Sequence, residues 1–253
     1  MKLLLAAITF VAFTSSALAS TPRELYVAGK FDQAERAALA EGTAAGYCLA
    51  ARSELAAETM RASPCLVCLR SAEQLAQRAI DADPKLVEAH IEYVIALGYE
   101  ARVVGLFQAQ FRGYAKKAKE HIDAALAADP GNAWAWAALG NWNIEIAADG
   151  GPALARMLYG ATVAKGLADF AKAFAAMPDN LVLHYHYALA LASYDRNAYR
   201  DTIANALTRA TAGAPKTAYE SFAKNCAREL LDALRSGDMQ SFDRLVRHDQ
   251  GYP

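Results

Sequence analysis

Apolar positions return at helical spacing along nearly the whole chain, and strict alternation of apolar and polar residues is absent over any useful length. The pattern predicts helices near 22–28, 31–41, 43–60, 70–82, 85–102, 114–128, 133–148, 153–176, 180–194, 198–211, 216–235 and 239–247, and no strands. One frame recurs four times, as Ala72-Ala76-Ala79-Pro84, Ala118-Ile122-Ala125-Pro130, Gly166-Phe170-Ala173-Pro178 and Ile203-Leu207-Ala210-Pro215. Its alanine five residues before the proline never varies. Small residues let two antiparallel helices approach closely, larger apolar ones fill the adjoining hole, and the proline stops the helix and re-aims the chain. A single helix pair cannot bury its own apolar face, so the frame implies stacking of successive pairs. The expected fold class is all-α, a helix-turn-helix repeat solenoid, with residues 20–253 as one domain.

Downstream of Pro130 the run Asn132-Ala133-Trp134-Ala135-Trp136-Ala137-Ala138-Leu139-Gly140 carries a W-x2-L-G signature in phase with the proline. With the four frames it resembles the tetratricopeptide repeat family, as a divergent superhelix with one strong unit and several weaker ones. Successive prolines are 46, 48 and 37 residues apart, longer than the usual repeat of about 34. The excess falls between the two helices of a unit, in glycine-bounded stretches at 103–113 and 149–166. These carry Leu106, Phe107, Phe111, Leu154, Met157, Leu158 and Tyr159, apolar groups that need cover. The run from His121 through Pro130, followed by Leu139-Gly140-Asn141-Trp142, is similar to the repeat domain of the regulator of microtubule dynamics family. That resemblance implies the architecture only, because an exported chain meets no microtubules.

Export is read from the first residues. Lys2 precedes an apolar-to-neutral run from Leu3 to Phe13, and Ala17-Leu18-Ala19 supplies a small-residue cleavage pattern. Eleven helical residues span only about 16 Å against about 30 Å of hydrocarbon, so the run predicts a cleaved signal peptide over 1–19 rather than an anchor. No later stretch predicts a stable membrane span. The mature chain is expected in a periplasmic or extracellular space. Lysine plus arginine total 26 against 27 acids, a formal charge of −1, so no general basic field exists to hold nucleic acid.

In an oxidising space the cysteines read differently. Cys65 and Cys68, spaced i,i+3 after Pro64 in an expected loop, are a disulfide candidate. Free thiols and a catalytic pair are the alternatives. Zinc would need two further ligands, and haem attachment would need histidine where Leu69 stands. Cys48 lies too far along its helix for a local bridge to that loop, and Cys226 stands alone.

Nucleophile elbows, phosphate loops, H-E-x-x-H and dinucleotide fingerprints are missing, so no enzyme, cofactor or metal site is expected. His184 and His186 project about 200° apart on a helix and cannot share a metal. Glu41 with Glu54, and Glu88 with Glu92, read as solvated helix faces. In the tetratricopeptide pattern the inward positions of the first helices select Trp134, Ala137, Asn141 and Ile144 in the best unit. Ile91 in the preceding unit and Tyr185 in the following one complete a candidate partner-binding groove. That groove has little positive charge, which favours an apolar or amphipathic protein segment over an acidic tail. The other reading makes Trp134 and Tyr185 core residues in a groove filled by the insertions. The expected function is a non-catalytic protein-interaction scaffold. Its rival is an accessory protein that holds an apolar ligand in the groove or uses the Cys65/Cys68 pair in redox chemistry.

Overall fold

The computed structural model describes residues 20–253. The expected signal peptide and its cleavage after Ala19 lie outside the described residues. Fourteen helices follow in chain order: α1 Pro22–Val27, α2 Phe31–Ala40, α3 Ala44–Thr59, α4 Leu66–Ala82, α5 Val87–Val104, α6 Leu106–Phe111, α7 Tyr114–Ala128, α8 Ala133–Gly150, α9 Pro152–Tyr159, α10 Val163–Ala176, α11 Leu181–Asp195, α12 Arg200–Ala212, α13 Ala218–Ser236 and α14 Met239–Asp249. No strand occurs among the described residues. The helices pack as successive antiparallel pairs, an all-α helical repeat solenoid.

The recurring frame marks the buried stripe of the second helices. Ala72, Ala76 and Ala79 on α4, Ala118, Ile122 and Ala125 on α7, Phe170 and Ala173 on α10, and Ile203, Leu207 and Ala210 on α12 are all buried. Gly166 shows why the first position is small. A Cβ there would stand 2.6 Å from Ile144 Cγ1 and 2.8 Å from the Gly140 carbonyl oxygen, so α8 and α10 touch backbone to backbone. Gly140, the glycine of the W-x2-L-G run, is the other half of that contact, its own missing Cβ replaced by the Phe170 ring.

Three of the four prolines are tied to the helix that follows them. The Pro130 carbonyl accepts from Trp136 Nε1 at 2.8 Å. The Pro84 and Pro178 carbonyls pair with the Nε2 atoms of His90 at 3.0 Å and His184 at 2.7 Å. A carbonyl only accepts, so each histidine carries its proton on Nε2. An aromatic N–H six residues after the proline therefore clamps the turn in three units. Asn132 and Asn180 cap the same helices, each side chain accepting from two backbone amides. In His90 this leaves Nδ1 as an acceptor, and it takes the Nδ1 proton of His121 at 2.9 Å.

Three element boundaries differ from the sequence expectation. Helix α4 starts at Leu66 rather than 70, because Cys65 stands at its N-cap and its sulfur accepts from the Cys68 amide at 3.2 Å. The expected helix 153–176 is two, broken at Gly160, whose φ of 63° is left-handed. The 103–113 stretch holds the short helix α6. The two insertions are built alike: each long first helix ends at a glycine with positive φ, Gly105 or Gly151, a short helix follows, and a left-handed glycine, Gly113 or Gly160, ends it. Four residues after the first glycine an alanine, Ala109 or Ala155, is buried.

The row formed by α1, α3, α5, α8, α11 and α13 closes on itself. Each touches the next, and α13 touches α1, where a Cβ on Gly29 would stand 2.7 Å from that of Ala218. A Gly166→Ala variant is expected to lose about 1–2 kcal/mol in urea unfolding. Overpacking outweighs the gain of about 1 kcal/mol in helix propensity. Gly131→Ala, with only the Asp129 side chain near at 3.4 Å, should change little.

Candidate functional site

The five expected groove residues do not form one surface. Ile144 is fully buried against Gly166, and Tyr185, 2% exposed, is among the largest buried side chains of the C-terminal core. Ile91 is buried with Val87, Ala125 and Ala135 between α5, α7 and α8. Trp134 and Asn141 keep partial exposure. Large apolar groups on first helices are thus used up in stacking neighbouring pairs.

The inside of the ring is occupied by the chain's own C-terminus rather than by the insertions. Gln250 is buried and donates from Nε2 to Glu145 Oε1 on α8 at 2.9 Å. Gly251 packs flat on Tyr99 of α5, where a Cβ would stand 2.4 Å from the ring. The Tyr252 ring lies against Arg247, with the guanidinium 4.6 Å from its centre, and near Arg102 at 5.9 Å. Arg102 in turn pairs with Glu145 at 3.3 Å. Between this tail and the end of α3 only about 20 Å³ remains, lined by Glu58, Tyr99 and Asp249 among others.

The hub so formed is polar and largely buried, and its titrations shift accordingly. Burial raises the Glu145 carboxyl, partly offset by Arg102, and pushes the Cys226 thiol and the Tyr99 phenol up to about 12. Burial, reinforced by the Arg102 charge, holds His186 down to about 4. Its Nε2 meets the Tyr219 hydroxyl at 3.2 Å. One charge pair was not foreseen: Glu92, expected on a solvated face, is buried and bonds Arg52 of α3 at 2.6 Å. Neither an alternating pattern nor a motif marks that carboxylate, since its partner is forty residues away.

On the outer side, α7, α8, α9 and α10 leave an open cleft of about 510 Å³. Its walls carry Lys119, Lys165 and Lys172 with Trp136, Trp142 and Tyr159. Lys172 Nζ sits 3.5 Å over the Trp136 ring and 3.3 Å from Asp169, which Asn143 also holds at 3.1 Å. Trp142 is fixed by its indole N–H on the Ala115 carbonyl at 2.9 Å. This is the opposite face of α8 from the one the inward positions select. Lys119 lies 6.0 Å over the Trp142 ring, and Lys165 donates to the Gly160 carbonyl at 2.7 Å; amines beside aromatic walls suit an anionic, partly apolar ligand.

Residues 39–235 match the family model described as regulator of microtubule dynamics protein 1-3. The chain belongs to that family. Comparison with curated proteins gives no match. The family match runs from the end of α2 to the end of α13, so it takes in both insertions and the cleft. Helix α1, α14 and the tail that fills the ring lie outside it.

The remaining candidate pair, Cys65 and Cys68, is drawn into a disulfide arrangement with Cα atoms 5.3 Å apart. The Cys65 amide donates to Glu58 Oε1, and Arg61 pairs with Glu58 at 3.0 Å. Cys48 and Cys226 are unpaired.

The His186 shift has a sign that can be tested. Its folded pKa of about 4 lies below the unfolded 6.5, so its contribution is complete above pH 6.5 and is lost as pH falls toward 4. The buried carboxylates shift the opposite way, so the histidine is isolated by difference. Relative to His186→Gln, the wild type is expected to lose about 1–3 kcal/mol of unfolding free energy between neutral pH and pH 4, the range allowing for the solvent its ring still meets.

Proposed function

We propose that the chain is an exported, non-catalytic protein-interaction scaffold that holds a segment of its partner in the outer cleft. The observation that carries this reading is the gathering of Lys119, Lys165 and Lys172 with Trp136, Trp142 and Tyr159 around a cleft open to solvent. The inner groove, where a repeat protein of the tetratricopeptide type would take a peptide, already holds Gln250, Gly251 and Tyr252. The cleft therefore favours an acidic amphipathic segment, its carboxylates on the amines and its apolar side chains on the indoles. Membership of the regulator of microtubule dynamics family supports an interaction role for the helical domain, with no microtubule contact carried over.

Export with cleavage after Ala19 belongs to the same proposal and rests on the Leu3–Phe13 run and Ala17-Leu18-Ala19. In an oxidising compartment the Cys65–Cys68 bond persists as a staple at the start of α4.

The test is a peptide array of acidic amphipathic segments, probed with the purified protein. Wild type and a Lys216→Ala control should retain the same peptides. Lys165→Glu/Lys172→Glu should weaken them about tenfold or more, since close charge pairs at an interface contribute well over 1 kcal/mol each. Loss of the same peptides with Trp134→Ala, and not with the lysine variant, would move the site back to the inner face.

A further inference from the structure

The outer faces of α6 and α9 play no part in the cleft. Both helices carry their largest apolar side chains outward and turn only an alanine, Ala109 or Ala155, to the core. Phe107, Phe111 and Met157 are 85%, 87% and 72% exposed, and Leu106, Leu154 and Leu158 about half. A surface helix ordinarily does the reverse, because burying phenylalanine or leucine is strongly favourable. The two helices are neighbours: the Tyr159 hydroxyl at the end of α9 bonds Gln110 Oε1 on α6 at 2.6 Å. That contact brings the two sets of exposed apolar side chains to the same part of the surface, more of them than scattered single exposures would explain.

The two insertions and their immediate flanks are basic in sequence. From Val103 to Lys119 and from Gly150 to Ala168 the sequence has six cations, Arg112, Lys116, Lys117, Lys119, Arg156 and Lys165, and no acid, in a chain of net charge −1. Lys116 and Lys119 reach Glu120 and Asp123 farther along α7, at 3.8 Å and 2.7 Å. Arg112, Lys117 and Arg156 are exposed and enter no ion pair among the described residues. No helix among the described residues is long and apolar enough to cross a membrane.

We propose that α6 and α9 together form a docking face for an anionic lipid bilayer. Phe107, Phe111 and Met157 enter the boundary between headgroups and acyl chains, while Arg112, Lys117 and Arg156 meet the lipid phosphates. The charge decides between occupants. A second copy docked through the same face would set cations against cations across a two-fold axis. Two short helices with apolar tips and basic flanks suit a flat anionic surface. This face is distinct from the lysine–tryptophan cleft, and neither reading depends on the other.

Amide hydrogen exchange of the full chain with vesicles tests it, because the readout is local to these helices whatever Leu3–Phe13 does. Vesicles of phosphatidylcholine with about one third phosphatidylglycerol should slow exchange across 106–111 and 152–159 about fivefold or more. Pure phosphatidylcholine should not. Phe107→Ser/Phe111→Ser should abolish the protection with an unchanged urea midpoint, since both side chains are exposed. Lys117→Gln/Arg156→Gln should lower affinity for the anionic vesicles about 30-fold, near fivefold for each charge removed. Val67→Ser, an exposed apolar residue on α4, should have no effect. The proposal is overturned by equal exchange with and without anionic vesicles, by equal protection from neutral ones, or by protection that survives the phenylalanine variant. Protection that rises with protein concentration in the absence of lipid would also overturn it and assign the face to a second copy.

Discussion

Two helices stack backbone to backbone only where neither carries a Cβ at the crossing, and α8 and α10 meet that condition at Gly140 and Gly166. With the gap closed there, Ile144 and Phe170 fill the flanking holes and become fully buried. The other three frames place alanine and branched residues at the same buried positions. An insertion within such a contact would destroy it. Both extra segments instead leave the chain at a positive-φ glycine beyond the end of a first helix and return at a left-handed glycine before the second. The pairs therefore stack undisturbed, and the added helices hang on single buried alanines.

Tight stacking has a consequence for the inner face. The row of first helices continues until α13 reaches α1, and the groove becomes an interior. Its polar residues then need partners from within the chain. Arg52 takes Glu92, Arg102 takes Glu145, and Gln250 completes Glu145 from the C-terminal turn. The tail acts as a bound peptide in place of a foreign one. The hub ties α5, α8 and α11 to the tail through polar contacts, whereas the pairs themselves are joined through apolar ones.

The repeat was legible because it is local: offsets of four, three and five residues fall on one helix and its stop. The twin pairing of His90 and His184 with their prolines was legible in residue type but not in role, since the six-residue return to a carbonyl has no apolar signature. The groove was misread for a different reason. Inward positions are defined for an open array, and in a closed one they become core, as with Tyr185 and Ile144. The Arg52–Glu92 and Gln250–Glu145 contacts join residues 40 and 105 apart, and periodicity carries no information at that range. For the insertions, apolar content was plain in the sequence, and cover was expected because exposed phenylalanine is unfavourable in water. The expectation fails at Phe107 and Phe111, where a local rule is broken without compensation inside the chain.

That failure and the cleft lie on the same part of the molecule. Tyr159 lines the cleft, meets Trp142 edge to face at 6.0 Å and bonds Gln110 on the neighbouring insertion. A ligand pressed on Trp142 therefore touches a side chain that also sets the spacing of α6 and α9. On the inner side the tail leaves about 20 Å³ against the end of α3, with Glu145 held by Gln250 and Arg102. The outer surface of the two units that carry insertions thus gathers amines, indoles and unburied phenylalanines on one part of the molecule, while the stacked pairs beneath supply the buried contacts.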